Sequence, residues 1–187
     1  MENNSSARRS FLKYINNEDD NINIENLKES IDCIFYENSD DEYIGYDEAS
    51  VLWNELNDFI DRKIEPLIEL QRYMEAVELI LHLASSFTEY DIDDSDGVIM
   101  GIYSRCEEII SLVIRLCSEK EEEKIFQDVV YEIDNNNDEY GYYKGFLDRL
   151  LFNQFKSEKS LKEILKIVNS RIKSLSGDKE DRFSQFY

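Results

Sequence analysis

The sequence predicts an all-α fold in which antiparallel helical hairpins stack as a short α-solenoid array. Three observations support this prediction. Apolar residues recur at three- and four-residue steps over most of the chain, which is the period of an amphipathic helix. The 187 residues include one proline and six glycines, too few for a turn-rich β-sandwich or barrel. Acidic, tyrosine-rich loops recur about two helices apart, as expected where hairpins stack.

The first half of the chain contains three predicted helices. The first begins near residue 24. The second has Asp47 as its expected N-cap and Pro66 as an expected kink or restart. The third precedes the second acidic loop. The inward-facing residues are Ile24, Leu27, Ile31, Ile34 and Phe35 in the first helix, Ala49, Leu52, Trp53, Leu56, Phe59 and Ile60 in the second, and Tyr73, Ala76, Val77, Ile80, Leu83, Ala84 and Phe87 in the third.

The second half predicts four more helices and no strand. Ser95 or Asp96 is the expected cap of a long helix, and Ser118 with the glutamates after it resembles a capping box for the next one. A shorter helix follows near residue 142, and the last precedes a tail, 176–187, expected to fray or dock late. We therefore predict one helical domain over 1–175. The inward residues are Ile99, Ile102, Cys106, Ile109, Ile110, Val113 and Cys117, then Ile125, Phe126, Val129, Val130 and Ile133, and finally Leu161, Ile164, Leu165, Val168, Ile172 and Leu175.

The formal charge is strongly negative and unevenly distributed. There are 42 acidic and 21 basic residues, a net charge of -21, while residues 1–13 and 156–187 are each net positive. Such a field repels DNA, RNA and anionic lipid, so we expect a basic protein partner, no direct nucleic acid and no membrane. The lysines of the last helix could contact nucleic acid, but a solvated face that neutralises part of the acidic body is the favoured interpretation.

Cysteine usage and the N-terminal residues predict a cytoplasmic protein. Cys33, Cys106 and Cys117 are an odd number without a CxxC spacing, which favours reduced thiols over a disulfide framework. The first residues lack the apolar stretch of a signal peptide, and no apolar run approaches the length of a membrane span.

The stretch YDIDDSDGVIMGIY, residues 90–103, has the composition of a calcium loop. An EF-hand requires oxygen ligands at positions 1, 3 and 5, glycine at 6 and glutamate at 12. With Asp91 at position 1, Asp96 occupies 6 and Ile102 occupies 12; with Gly97 at position 6, Tyr103 occupies 12. Neither frame supplies the bidentate glutamate, so a structural turn whose side chains cap the next helix is favoured, and we expect no metal and no cofactor.

No residue pattern supports catalysis. His82 is the only histidine, so a Ser-His-Asp or Cys-His arrangement would have to use it. Its Glu78-x-x-x-His82 spacing fits neither a di-iron nor a zincin helix, and a surface histidine near acids is the simpler interpretation. We therefore predict that the protein is not an enzyme and has no catalytic residue.

Tyrosines cluster with the acidic loops. Nine of the 12 tyrosines lie in or beside these loops. If the hairpins stack, the loops meet at one end, where rings and carboxylates would suit a lysine- and arginine-rich protein. The alternative is that each ring packs against its own hairpin. The predicted partner-binding residues are Asp40, Asp41, Tyr43, Tyr46, Tyr90, Asp93, Asp94, Asp96, Asp138, Tyr140 and Tyr142.

A stretch at the third helix, LIELQRYMEAVELILHLA, resembles the first helix of a tetratricopeptide repeat, with Tyr73 and Ala76 at matching positions and Gln71 where a small turn residue is usual. More broadly, residues 24–170 resemble the tetratricopeptide-like helical region of bacterial SWIM zinc-finger proteins. The CxC…CxH cluster of that family is missing here, so its zinc or DNA role does not carry over. The resemblance implies a helical array that holds another protein.

Three functions follow as hypotheses. The first is a non-enzymatic interaction module that binds a basic protein partner. The second is an acidic immunity-like or antitoxin-like protein, or a nucleic-acid mimic, that neutralises a basic nuclease or DNA-binding protein. The third is a metal-dependent enzyme built on the acidic loops, which predicts a thermal shift with Ca²⁺, Mg²⁺ or Mn²⁺ that we do not expect.

Overall fold

The protein is an all-α helical array, as predicted. The computed structural model describes residues 23–135 and 141–184. A π-helical turn, Ile60–Ile64, joins α2 to α3, and a 3₁₀ turn, Phe87–Glu89, follows α4. Within the described residues, no helix is both long and apolar enough to cross a membrane. The helices are α1 (Ile24–Glu37), α2 (Tyr46–Phe59), α3 (Glu65–Glu69), α4 (Tyr73–Ser86), α5 (Val98–Leu116), α6 (Glu119–Asn135), α7 (Tyr142–Asn153) and α8 (Glu158–Ser184).

The helices pack as two rows. In one row α4 contacts α1 and α6, and in the other α5 contacts α2 and α7. Between the rows, α1 contacts α2, α4 contacts α5 and α6 contacts α7, so each pair forms a hairpin. The core lies between the rows because each helix turns its apolar stripe toward the facing row. That the three hairpins descend from one repeat stays a prediction.

Two short strands correct the prediction that the chain has no strand. β1 (Tyr43–Ile44) and β2 (Asp91–Ile92) pair in parallel, with Tyr43 opposite Asp91. Each strand has only two residues, which is too short to produce an alternating pattern in the sequence. The pair joins the loop after α1 to the loop after α4.

Pro66 lies where the α-helix restarts as α3 after the π-helical turn, which is one of the two outcomes predicted for it. It lies in the first turn of α3, where a backbone N–H has no intrahelical acceptor to lose. The π-helical turn directly precedes α3, so α2, the π-helical turn and α3 follow one another without a break as one helical segment. Arg105 of α5 binds this helical segment: its guanidinium donates to Asn57 Oδ1 at 2.6 Å and pairs with Asp61 and Glu65.

The second helix of each hairpin begins in the same way. Gly45, Gly97 and Gly141 are the N-cap residues of α2, α5 and α7. The fourth residue after each is small, and its N–H donates to the N-cap carbonyl at 2.8 Å for Ala49, 3.0 Å for Gly101 and 2.9 Å for Gly145. The predicted caps were therefore wrong: Asp47 lies inside α2, while Ser95 and Asp96 precede the cap of α5. Glycine is favoured at the N-caps of α5 and α7 because the backbone there is left-handed, with φ of 74° and 79°.

Gly101 allows α2 and α5 to approach closely. A Cβ atom at this position would lie 2.2 Å from Cζ3 of Trp53. At the equivalent glycine of α7, Gly145, the described atoms near an added Cβ are those of the Arg149 side chain, at 3.7 Å. Gly101 therefore has a packing role that Gly145 lacks.

An aromatic chain crosses all three hairpins. Phe35 of α1 contacts Phe87, with ring centroids 4.9 Å apart, and Phe87 contacts Tyr103 of α5 at 5.5 Å. Tyr103 stacks on Phe146 of α7 at 5.0 Å, and Phe146 stacks on Tyr143 at 6.0 Å. This chain gives the array a continuous core at the end where the acidic loops lie.

The last helix is less buried than predicted. Among its predicted inward residues Ile164 is buried, whereas Leu161, Leu165 and Ile172 are exposed. Ion pairs attach α8 to the third hairpin, with Lys159 on Glu123 of α6 and Arg171 Nη1 2.9 Å from Asp148 of α7. The helix continues to Ser184, beyond the predicted start of the tail at residue 176. The division into a domain and a separate tail stays a prediction.

Candidate functional site

The first acidic loop is a tight turn between α1 and α2. The Asp40 N–H donates to the Tyr43 carbonyl at 2.8 Å, and the Tyr43 N–H donates back to Asp40 at 3.1 Å. Between them, Asp41 and Glu42 both have left-handed backbone, with φ of 51° and 66°. A left-handed backbone is uncommon in residues other than glycine. Here it forms a compact turn whose side chains are exposed to solvent.

Buried polar contacts hold the base of this turn. The Asn38 amide donates to the Ile34 carbonyl at 2.8 Å and to Glu55 Oε2 at 2.7 Å. Asn38 is itself buried, so both bonds replace lost contacts with water. The exposed residues Asp40, Asp41 and Tyr43 therefore project from a fixed support.

The second acidic loop is a capped turn. Asp93 accepts hydrogen bonds from the N–H and hydroxyl of Ser95, and Asp94 Oδ1 accepts from the Ile99 N–H at 2.9 Å. These carboxylates stabilise the start of α5, which is the structural interpretation that the sequence favoured. Both aspartates are half-buried, so their carboxylates are less accessible to a partner than the sequence predicted. Across the described residues, no group of three or more His, Cys, Asp or Glu side chains is arranged to hold a metal ion.

The first two loops form one surface. β1 pairs with β2, and the Asp91 N–H donates to the Glu42 carbonyl at 2.9 Å. The Tyr46 hydroxyl at the start of α2 hydrogen-bonds Asp96 of the second loop, and this bond raises the pKa of Tyr46. Both side chains are exposed, so the contact lies at the protein surface.

The predicted tyrosines divide into exposed and buried groups. Tyr43, Tyr46 and Tyr142 are each about half exposed. Tyr90 stacks on Phe35, with centroids 5.3 Å apart, and burial raises the pKa of its hydroxyl. Tyr103 and Tyr143 lie in the aromatic chain and are fully buried. Two of the nine loop tyrosines thus belong to the core: Tyr103 bridges the second and third hairpins by stacking on Phe146, whereas Tyr143 packs within its own hairpin.

The third loop joins the same end through its last residues. Tyr142, the first residue of α7, lies with Tyr90 and Asp94 around a cavity of about 160 Å³. The structure therefore brings together predicted residues from all three loops. Asp138 and Tyr140 lie outside the described residues. We refer below to the exposed residues that the structure brings together as the acidic end: Asp40, Asp41, Tyr43, Tyr46, Asp96 and Tyr142.

A second concave surface crosses the row of α1, α4 and α6. This groove has a volume of about 490 Å³, and its walls carry charges of both signs. His82 Nε2 lies 2.7 Å from Asp32 Oδ1 of α1, and Lys28 Nζ lies 2.6 Å from Glu78 Oε1. The sequence placed His82 near acids of its own helix but gave no signal for Asp32, which is on another helix.

The buried thiol of Cys106 and the buried phenol of Tyr143 are not ionised near neutral pH. Burial raises the pKa of Cys106 to about 12. Burial also raises the pKa of Tyr143, whose hydroxyl donates to Glu132 Oε2 at 3.1 Å. Neither group ionises near neutral pH, so neither offers an activated nucleophile there.

No known protein family, curated protein or solved structure matches this chain. The resemblance to the helical region of SWIM zinc-finger proteins stays a prediction. The geometry described above is therefore the basis for the proposals below.

Proposed function

We propose that this chain is a non-enzymatic, cytoplasmic protein-interaction module that binds a basic protein partner through the acidic end. One observation carries the proposal: the β1–β2 pair unites exposed carboxylates and rings of separate hairpins on one surface. A loop that served only as a connection would not need a fixed relation to its neighbour.

The chemistry of this surface fits lysine and arginine. Carboxylates of Asp40, Asp41 and Asp96 supply charge, and the half-exposed rings of Tyr43 and Tyr142 supply flat apolar area with a polar edge. Two backbone hydrogen bonds between Asp40 and Tyr43 close the turn that holds Asp41, so less conformational entropy is lost when a partner binds. The net charge of -21 steers cationic proteins toward the molecule from a distance.

The first experiment identifies the partner. The tagged full chain is used to capture proteins from native lysate, which are then eluted with increasing salt. Binding kinetics are measured for the captured protein with the Asp40→Asn/Asp41→Asn variant and with Glu119→Gln/Glu122→Gln as a matched control. Asparagine tolerates left-handed backbone, so the first variant keeps the turn.

We expect the first variant to lower the association rate several-fold more than the control. Both remove two charges, but Glu119 and Glu122 begin α6, at the opposite end of the hairpins from the acidic loops. Equal effects of the two variants would mean that net charge alone guides binding, and the proposed site would then be wrong.

The charge distribution favours a second candidate, an acidic protein that neutralises a basic nuclease or DNA-binding protein. Several lysines already pair with acids of the same chain, including Lys28, Lys124 and Lys159, so they do not offset the remaining carboxylates toward a partner. This function predicts fast association that weakens steeply with salt. A partner retained in high salt would instead indicate an apolar contact and would exclude neutralisation by charge.

A further inference from the structure

The outer edge of β2 has no neighbouring strand within the described residues. In the parallel pair, the N–H groups of Asp91 and Asp93 donate to the carbonyls of Glu42 and Ile44, each at 2.9 Å. Because successive residues of a strand direct their backbone groups to opposite sides, the N–H and carbonyl of Ile92 face away from β1. Neither group has a backbone partner within residues 23–135 and 141–184. Tyr90 is also extended, with φ of -126° and ψ of 142°.

The cavity at the acidic end lies beside this edge. Tyr90, Asp91, Ile92 and Asp94 line one side of it, and β1 contributes no lining residue. Its remaining walls are mostly apolar and aromatic, from Phe87, Thr88, Ile99, Tyr103 and Tyr142. A volume of about 160 Å³ holds one side chain, since cavities near this size accommodate benzene.

We propose that an extended segment of the partner protein adds to β2 as a third strand and places an arginine side chain in this cavity. This inference rests on the proposed function and specifies how the acidic end recognises its partner. The backbone of Ile92 would exchange hydrogen bonds with the added segment, as in other cases of strand addition.

The cavity favours arginine over other side chains. Its apolar walls contact the aliphatic stem, and a guanidinium can stack on a tyrosine ring while it donates to carboxylates. Asp91 is exposed, and Asp94 uses only its Oδ1 atom to cap α5 in the described contacts. An acidic side chain would be repelled, and an aliphatic one would leave both carboxylates without a cationic partner.

Titration of the ¹⁵N-labelled full chain with an extended peptide tests this proposal by NMR. The probe is acetylated and amidated Thr-Val-Arg-Val-Thr, and its control carries glutamine in place of arginine. We expect the Ile92 amide to show one of the largest shifts and the glutamine peptide to bind at least about tenfold more weakly, since a charge-assisted pair is lost. Equal binding of both peptides, or shifts confined to other parts of the chain, would overturn the proposal.

Two variants separate the strand edge from the charge. Ile92→Pro removes the outward N–H but no bond to β1, so the loop pairing remains while peptide binding falls. Asp91→Asn/Asp94→Asn keeps the cap of α5, because asparagine also accepts from the Ile99 N–H, and should abolish the preference for arginine. An Ile92→Pro variant that binds the peptide normally would exclude strand addition.

Further outcomes identify the occupant of the strand edge and distinguish failure of strand addition from failure of the proposed function. If the peptide binds only when Arg8→Gln/Arg9→Gln is introduced, the N-terminal segment of the same chain is the occupant, and the proposal of a partner strand is wrong. If Ile92→Pro leaves capture of the natural partner unchanged while Asp40→Asn/Asp41→Asn weakens it, strand addition fails but the proposed function stands. If none of these variants affects the partner, the proposed site fails as well.

Discussion

Gly101 and Gly145 provide a matched test of how closely the hairpins pack. Each is the fourth residue of its helix and follows an N-cap glycine in left-handed conformation. An alanine at either position has the same effect on helix propensity. The two sites differ in what the new methyl group meets, which is the Trp53 ring at 2.2 Å for Gly101 and an arginine side chain at 3.7 Å for Gly145.

The expected effects have opposite signs. Overpacking at Gly101→Ala costs about 1–3 kcal/mol. The 2.2 Å approach to the Trp53 ring puts this cost in the upper half of that range, and the gain in helix propensity offsets about 0.8–1 kcal/mol of it, so the net loss is roughly 1–2 kcal/mol. For a chain of this size that lowers Tm by about 2–8 °C. Gly145→Ala keeps the gain without the clash, and its Tm should rise by about 2–4 °C.

Thermal unfolding followed by circular dichroism measures both variants, and urea unfolding checks the free energies. Trp53 is the only tryptophan, so its fluorescence reports any displacement of the ring directly. The Gly101→Ala/Trp53→Phe double variant should lose less stability than the two single losses added together, because a smaller ring leaves room for the methyl group. A Gly101→Ala protein as stable as the parent, with unchanged fluorescence, would refute the close approach of α2 and α5.

Three further predictions concern local contacts. Ser118→Ala should destabilise the protein by about 1 kcal/mol at neutral pH in urea unfolding, because the N-cap of α6 is lost. Hydrogen bonds from Ser118 hold the pKa of Glu121 below its ordinary value of 4.5. Their contribution to the free energy of unfolding is therefore present above pH 4.5 and is lost as the pH falls through the lowered pKa. The difference in unfolding free energy between the parent and Ser118→Ala should accordingly shrink in acid. Iodoacetamide at pH 8 should label exposed Cys33 rapidly and leave Cys106, whose pKa is raised to about 12, unmodified in the native protein, as peptide mass spectrometry would show; equal labelling would contradict the burial of α5. Tyr143→Phe should cost about 1 kcal/mol in chemical unfolding through loss of the bond to α6, and no change would mean that water replaces the bond fully.

The sequence predicted features that depend on neighbouring residues. The period of the apolar residues gave the helices, and Ser118 with the glutamates after it gave a capping box. The structure confirms the capping box, because the Ser118 N–H donates to Glu121 Oε2 at 2.8 Å and the Glu121 N–H donates to Ser118 Oγ at 3.4 Å. Each of these signals involves residues that are only a few positions apart in the sequence. The composition of residues 90–103 also predicted a structural turn whose side-chain oxygens cap the next helix, but the oxygen comes from Asp94 and not from the predicted Ser95 or Asp96.

Contacts between distant residues were missed for a common reason. The pairing of Tyr43 with Asp91 and the contact of His82 with Asp32 each join residues roughly fifty positions apart, and neither leaves a periodic signal. The close approach at Gly101 depends on the position of a ring in another helix. The exposure of Leu165 was missed because the pattern identifies an apolar face but not whether a neighbour covers it.

The β1–β2 pair also has a consequence for the order of folding. Each hairpin can close over a short loop, whereas the two strands meet only after α1, α2 and α4 have taken their places. We therefore expect the acidic end to mature last during folding and to open first in native-state hydrogen exchange. Because the acidic end forms only after these helices have packed, an incompletely folded chain would lack the surface through which we propose that it binds its partner.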